Sequence, residues 1–274
     1  MYATCWRAAG GLLIGLSLSV PATVAHAQTD YYNTDAGRPI RVEDAYAIER
    51  RAIELQIAPL RLERIRTKPY AWGVEPEVAF GLLPRTQVEV GFPLVHAEGG
   101  RSRMTTLAGI DISALHNLNV ETRLPALALV ADLILPVGGS GPSRAVPSLK
   151  AIATKTFPQL RIHVNAQRSF VETPAAAGAG VPAHGEQARW MAGVAVDRPF
   201  PLSALLLTAE LVTSAPVERT SPRRLDAAGG MRYQWSPRVA FDAGGGYRLR
   251  GHDQGWFLTT GAAVAVGLPW VPRS

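Results

Sequence analysis

Cysteine is all but missing from this chain. The one present, Cys5, precedes the apolar run Gly11 to Val20 (GLLIGLSLSV), so neither a disulfide nor a lipid-anchored cysteine is expected. Long apolar runs are also lacking. After Val20 none approaches the roughly 20 residues that a spanning helix needs, so a chain like this crosses a bilayer with strands or not at all. Basic residues are spread out, with no run beyond Glu49-Arg50-Arg51 or Arg223-Arg224, and nothing resembles a nucleic-acid patch. The six histidines are scattered without metal-ligand spacing, which leaves no metal or cofactor expected. There is no Ser/Gly linker, charge block or low-complexity break at which to divide the chain.

What is present begins with an export signal. Arg7 is a short positive n-region, Gly11 to Val20 is the apolar segment, and Ala25-His26-Ala27 is a small-x-small cleavage site. Residues 1–27 read as a signal peptide cut before Gln28, which again argues against nucleic acid as a partner. Removing Arg7 lowers the formal net charge from +6 by one, and the remaining basic balance suits an anionic outer surface. An exported chain without disulfides needs another source of cohesion, and a closed hydrogen-bonded sheet supplies one.

Trp72 to Leu94 (WGVEPEVAFGLLPRTQVEVGFPL) shows the organising pattern. Trp72, Val74, Val78 and Phe80 alternate with small or acidic residues, Leu83-Pro84-Arg85-Thr86 turns, and Val88, Val90, Phe92 and Leu94 alternate again. One face is apolar, and the other carries Glu75, Glu77 and Glu89. Comparable segments follow at about 50–66, 105–116, 125–137, 146–156, 160–170, 187–197, 204–213, 223–234, from Val239 to Tyr247, and 255–267. Connections at 83–86, 157–159, 198–203 and 235–238 are short and proline-marked. They alternate with longer loops at 96–104, 138–145, 171–186, 214–222 and 248–254. Short turns on one rim and long loops on the other are the layout of an outer-membrane barrel. The expected fold is therefore all-β: an antiparallel up-and-down transmembrane β-barrel of about 12 strands, with 10 to 14 admissible and both termini on the periplasmic rim. Residues 28–47 are expected to be a periplasmic N-terminal extension, with inward folding as a partial plug the alternative, and residues 48–274 to be the barrel. Phe80, Phe92, Phe157, Phe200, Trp235 and Trp270 fall near expected short-rim ends, as an interfacial girdle would. Pro76 is anomalous, because it sits mid-strand where it cannot donate to the ladder, and a bulge is expected there.

Three stretches carry a family resemblance: DYYNTDAGRPIRVEDAYAIERRAIELQ, the hairpin above, and GGMRYQWSPRVAFDAGGGYRL. Together they resemble the outer-membrane transporters grouped as the MetA-pathway of phenol degradation family, over most of the mature chain. The resemblance implies an outer-membrane barrel that admits small molecules, aromatic or hydrophobic ones among them, and it carries over no functional residue. Thr259 to Val266 is also similar to the C-terminal signal read by the barrel assembly machinery. It lacks the terminal aromatic and is followed by a tail, Leu268 to Ser274.

Side chains opposite the apolar stripes are the candidate lumen. Early strands supply Glu54, Gln56, Glu75, Glu77, Glu89, Asp111 and Asp132. Middle strands supply Lys150, Arg161, His163, Asn165, Gln167 and Arg189, and later ones Glu210, Asp226, Arg232 and Asp242. Acid dominates the first wall and base the next, so a field across the lumen could order polar solutes; alternatively the charges pair and fill it. Catalysis is not expected: His163 and Asn165 share a face with Arg161, but no serine stands beside His163 at a useful strand spacing. Gly244-Gly245-Gly246 lies on a strand without a following helix, and so serves curvature or close packing rather than phosphate binding. The function classes are a channel or facilitator for small solutes in the bacterial outer membrane, a closed barrel with a structural or surface-binding role, and, least favoured, an outer-membrane enzyme.

Overall fold

A computed structural model describes residues 34–66, 70–99, 102–171, 188–251 and 254–267. The expected signal peptide with Cys5, most of the 171–186 loop, and the 268–274 tail with Trp270 lie outside the described residues. Strands run β1 (Ala52–Ile65), β2 (Tyr70–Leu83), β3 (Thr86–Gly91), β4 (Leu94–Gly99), β5 (Ser102–Leu107), β6 (Ile110–Asn117) and β7 (Ala126–Leu135). They continue through β8 (Val146–Thr156), β9 (Arg161–Ser169), β10 (Ala188–Phe200), β11 (Leu205–Pro216), β12 (Arg224–Ser236), β13 (Val239–Arg250) and β14 (Gly255–Gly267). All pairings are antiparallel; β2 pairs with both β3 and β4, β3 also pairs with β6, and β1 pairs with both β2 and β14, which closes the sheet. β3 with β4, and β5 with β6, are halves of single staves, so the closed barrel has 12 strands.

Alternation dictates the two faces. On β7, Leu127 and Leu129 are exposed while Ala126, Ala128 and Val130 are buried. On β11, Leu207 and Leu211 are exposed while Leu206, Thr208, Glu210 and Val212 are buried. Exposed Leu, Ile and Val side chains recur on β1, β2, β7, β8, β9, β10, β11 and β14, including Ile57 at 68% and Leu149 at 58%. A continuous apolar exterior around a polar interior is what a bilayer requires of a barrel and what water disfavours. On β14 the belt runs from Trp256 to Val266. Ten steps of about 3.3 Å each, tilted by about 40°, span roughly 25 Å, the height of an outer-membrane apolar band.

Three irregularities correct the sequence reading. The expected continuous strand 105–116 is broken at Ala108–Gly109, where Gly109 has φ +118°. The phase flips there, so Ala108 is buried although Ile110 and Ile112, expected to share its face, lie on the outer side. Phe92 stands at the β3/β4 break in the middle of the wall and belongs to no rim. Pro76 lies in a continuous strand, and the bulge is on its neighbour: β1 slips register between Ile57 and Leu60, across Ala58-Pro59. On the other side Phe92 N donates to Pro76 O at 3.0 Å, and proline cannot return the second bond of that pair.

The rims also differ from expectation in two places. The stretch 96–104, expected as a long loop, is mostly strand: β4 runs to Gly99 and β5 starts at Ser102. The β6–β7 connection, residues 118–125, is on the short-turn rim but is not short. Glu121 latches it, accepting hydrogen bonds from Thr156 N, Thr156 Oγ1 and Tyr46 Oη at 2.8, 2.8 and 2.9 Å. Lys155 Nζ adds an ion pair at 3.0 Å. The start of β1 and the end of β14 meet on that same rim, with Ala52 opposite Gly267.

Candidate functional site: the lumen and its inner loop

For the described part of the N-terminal extension, residues 34–47, the alternative of inward folding is the one the structure shows. Residues 34–48 enter beside β3 at the short-turn rim and cross the lumen, and Thr34, Asp35, Arg38, Ile40, Val42, Glu43, Asp44 and Ala45 are all buried. A backbone with no strand partner must find other acceptors and donors, and here inward wall side chains provide them. Ile48 N donates to Gln87 Oε1 at 2.7 Å and Ala45 N to Thr154 Oγ1 at 3.0 Å. Asn117 Nδ2 donates to Ala45 O at 2.7 Å. Asn165 binds Glu43 twice, accepting from its N–H at 3.0 Å and donating to its carbonyl at 2.8 Å. Glu210 Oε2 accepts from both Arg41 N and Val42 N at 2.9 Å, and Thr259 Oγ1 donates to Pro39 O at 2.8 Å. The loop then returns on itself: Thr34 N donates to Asp44 Oδ2 at 3.0 Å, and Asp44 N to Thr34 O at 3.1 Å.

Apolar contact and close approach complete the seat. Ile40 and Val42 pack with Ala195 and Val212, and Ala45 with Leu115, Val130 and Ile152. A Cβ on Gly193 would lie 2.6 Å from a Val42 methyl, and one on Gly230 would lie 2.6 Å from Pro39 Cβ. At these two points of closest approach the wall is glycine. Gly244, beneath the Pro39 carbonyl, is one of the glycines the sequence assigns to close packing.

The loop divides the lumen unequally. Towards β11–β14 and β1 the space is filled by interlocking ion pairs. Arg38 meets Asp35, Glu54 (3.3 Å) and Asp242 (3.7 Å), and Arg232 meets Asp35 at 3.0 Å. Arg41 and Arg248 share Asp226, Arg248 also reaches Glu63 at 3.2 Å, and Arg61 pairs with Glu63 while lying 3.7 Å over the Phe257 ring. On the opposite side a cavity of ≈ 180 Å³ remains between the loop and the wall from β2 to β11. Its carboxylates are Glu75, Glu77, Glu89, Asp111, Asp132 and the loop's own Glu43, and its cations are Arg41 and Lys150. Its apolar lining includes Leu115, Val130, Ile134, Val146 and Met191.

The candidate residues thus separate into groups. Glu75, Glu77, Glu89, Asp111, Asp132, Lys150 and Gln167 line the cavity. Glu54, Gln56, Asp226, Arg232 and Asp242 are buried on the filled side, and Asn165 and Glu210 hold the loop backbone. Two of the three cations of the expected basic wall are in ion pairs: Lys150 with Glu43, and Arg161 with Asp197 at 2.7 Å. Arg189 sits at the start of β10, with Nε donating to Pro216 O at 2.9 Å.

His163 does have a hydroxyl neighbour, which is Thr154 rather than a serine. Thr154 Oγ1 is 2.9 Å from His163 Nδ1, and His163 Nε2 is 2.9 Å from Asp197 Oδ2. The order of groups is that of a nucleophile, base and orienting acid. All three are buried, none lines the cavity, and Thr154 Oγ1 also accepts from the loop. Threonine on a strand reads as an ordinary β-former, so the sequence carried no signal for it.

No protein-family model matches the chain, and no curated protein matches it in sequence. Solved structures do match in fold. An outer membrane channel from Pseudomonas putida F1 aligns over 81% of this chain and 98% of its own, with TM-score 0.54 at 10% identity. The KdgM porin aligns over 77% of this chain and 98% of its own, with TM-score 0.51 at 11% identity. These neighbours are channels and porins rather than enzymes. The fold and its apolar belt place this chain in the class of outer-membrane β-barrels.

Proposed function

We propose that the protein is an outer-membrane channel for small solutes, in which passage runs off-axis through the space between the inner loop and the wall from β2 to β11. The observation that carries this reading is the ≈ 180 Å³ cavity left beside a loop that otherwise fills the barrel. Its carboxylates face apolar side chains, a lining suited to solutes that join a cationic or hydrogen-bond-donating group to an apolar body. Small aromatic compounds with a donor group fit that description. The resemblance to the MetA-pathway of phenol degradation family points the same way, and membership of that family is part of the proposal, as is insertion by the barrel assembly machinery. The Thr154–His163–Asp197 set anchors Ala45 rather than acting as a catalyst; lipid-micelle hydrolysis abolished by His163→Ala would overturn that assignment.

Planar-bilayer recording tests the channel. We expect small, cation-preferring single-channel currents, with the preference reduced in Glu75→Gln/Glu89→Gln. Folded protein that carries no current at all would sink the reading in favour of a closed structural barrel.

A further inference from the structure

The chain's positive balance is not accounted for by its interior. Arg38, Arg41, Arg61, Arg161, Arg232 and Arg248 face inward, and each pairs with a carboxylate. On the outer face near the long-loop rim the situation is reversed. Arg64, Arg168 and Arg223 are exposed, and among the described residues none of them has a carboxylate partner. Aromatic rings accompany them instead. Arg64 lies directly across from Tyr70 on β2 and Trp256 on β14. Its guanidinium is 4.7 Å from the Tyr70 ring centroid, it donates to Tyr70 Oη at 2.5 Å, and Tyr70 meets Trp256 edge-on at 6.0 Å. Arg168 on β9 lies across from Trp190 on β10, and the Arg223 guanidinium stands 5.3 Å from the Trp190 ring.

Both groups crown the apolar belt, at the height where acyl chains give way to headgroups. A guanidinium beside a ring has five N–H donors, more than the ring can engage, and it is lightly hydrated. Phosphate oxygens match that fork in geometry and charge. We propose that Arg64 with Tyr70 and Trp256, and Arg168 and Arg223 with Trp190, are docking sites for the phosphate groups of lipid headgroups in the leaflet that surrounds the long-loop rim. The inference rests on the outer-membrane reading. That reading fails separately, and earlier, if the mature chain folds as a monomer in plain buffer.

The test uses the folded barrel in a neutral detergent, with lipid A as the probe and native mass spectrometry as the readout. Wild type is compared with Arg64→Gln/Arg168→Gln/Arg223→Gln and with a control of equal charge loss on the short-turn rim, Arg85→Gln/Arg123→Gln/Arg238→Gln. Heat-modifiable gel mobility verifies that each variant is folded. At roughly fivefold per cationic side chain near an anionic surface, the long-rim triple variant should bind lipid A about 100-fold more weakly, with the control close to wild type. Dephosphorylated lipid A should bind wild type as weakly as lipid A binds the long-rim variant. Equal loss in both triple variants would reduce the effect to net charge and overturn the proposal, as would undiminished binding of the dephosphorylated lipid. If the long-rim variant does not fold, the single variants Arg64→Gln and Arg168→Gln carry the same comparison.

Discussion

At Gly193 the wall of β10 comes within contact of Val42, close enough that any side chain would have to displace one or the other. The β10 backbone is held on both sides by its ladders, whereas the inner loop is held by side chains, so the loop is what should yield. Gly193→Leu is expected to leave a folded barrel, to strain the seat by about 1–3 kcal/mol, and to raise the time spent in a larger-conductance state. Unchanged recordings from a folded variant would mean that the loop does not limit flow. Glu121 gives a pH prediction. Burial opposes its ionisation, but hydrogen bonds from the Thr156 amide and hydroxyl, Lys155 and Tyr46 outweigh this and hold the carboxyl at about 2, below its ordinary 4.5. A depressed carboxylate stabilises the folded form above its ordinary value and loses that contribution as pH falls towards the depressed one. The 118–125 loop should therefore loosen between about pH 4.5 and 2, measured as loss of hydrogen-exchange protection at the Thr156 amide. Glu121→Ala, which has no acceptor, should be unprotected there at every pH.

Among the elements, β2 and the inner loop invite direct tests. Pro76 denies the Phe92 carbonyl one ladder bond next to the β3/β4 break. Pro76→Val restores a donor to a strand that is already extended, and should raise barrel stability by about 1 kcal/mol, read from the melting of the heat-modifiable band. A destabilised variant would show that the break needs the proline. Excising residues 34–44 removes the loop but no wall strand. The charges it leaves, Glu210, Arg232, Asp242 and Lys150 among them, would then face water rather than apolar surroundings, so the barrel should still fold. Conductance should rise severalfold as the lumen widens. If conductance instead fell, the loop would be shaping the passage rather than obstructing it.

For the whole molecule, the staves were readable because a closed barrel imposes one rule along each strand: Leu127 and Leu129 out, Ala128 and Asp132 in. The placement of the inner loop obeys no such local rule. Its position depends on matches such as Arg41 with Asp226 and Ala45 with Thr154, between residues far apart in the chain and unmarked by any period. The break at Ala108–Gly109 was hidden because glycine and alanine fit a strand pattern as readily as they interrupt one. For the same reason the acid side of the lumen could be anticipated from Glu75, Glu77 and Glu89, whereas the neutralising of Lys150 by Glu43 could not. A lumen furnished in this way also constrains how the sequence can change. Asp226 serves Arg41 and Arg248 together, Asp35 serves Arg38 and Arg232, and Asn165 is fitted to one residue's amide and carbonyl. No inward position among these can drift alone without stranding a charge or an amide, so substitutions in residues 34–48 and on the facing strands should accumulate as matched sets, while the lipid-facing leucines and valines exchange freely with one another.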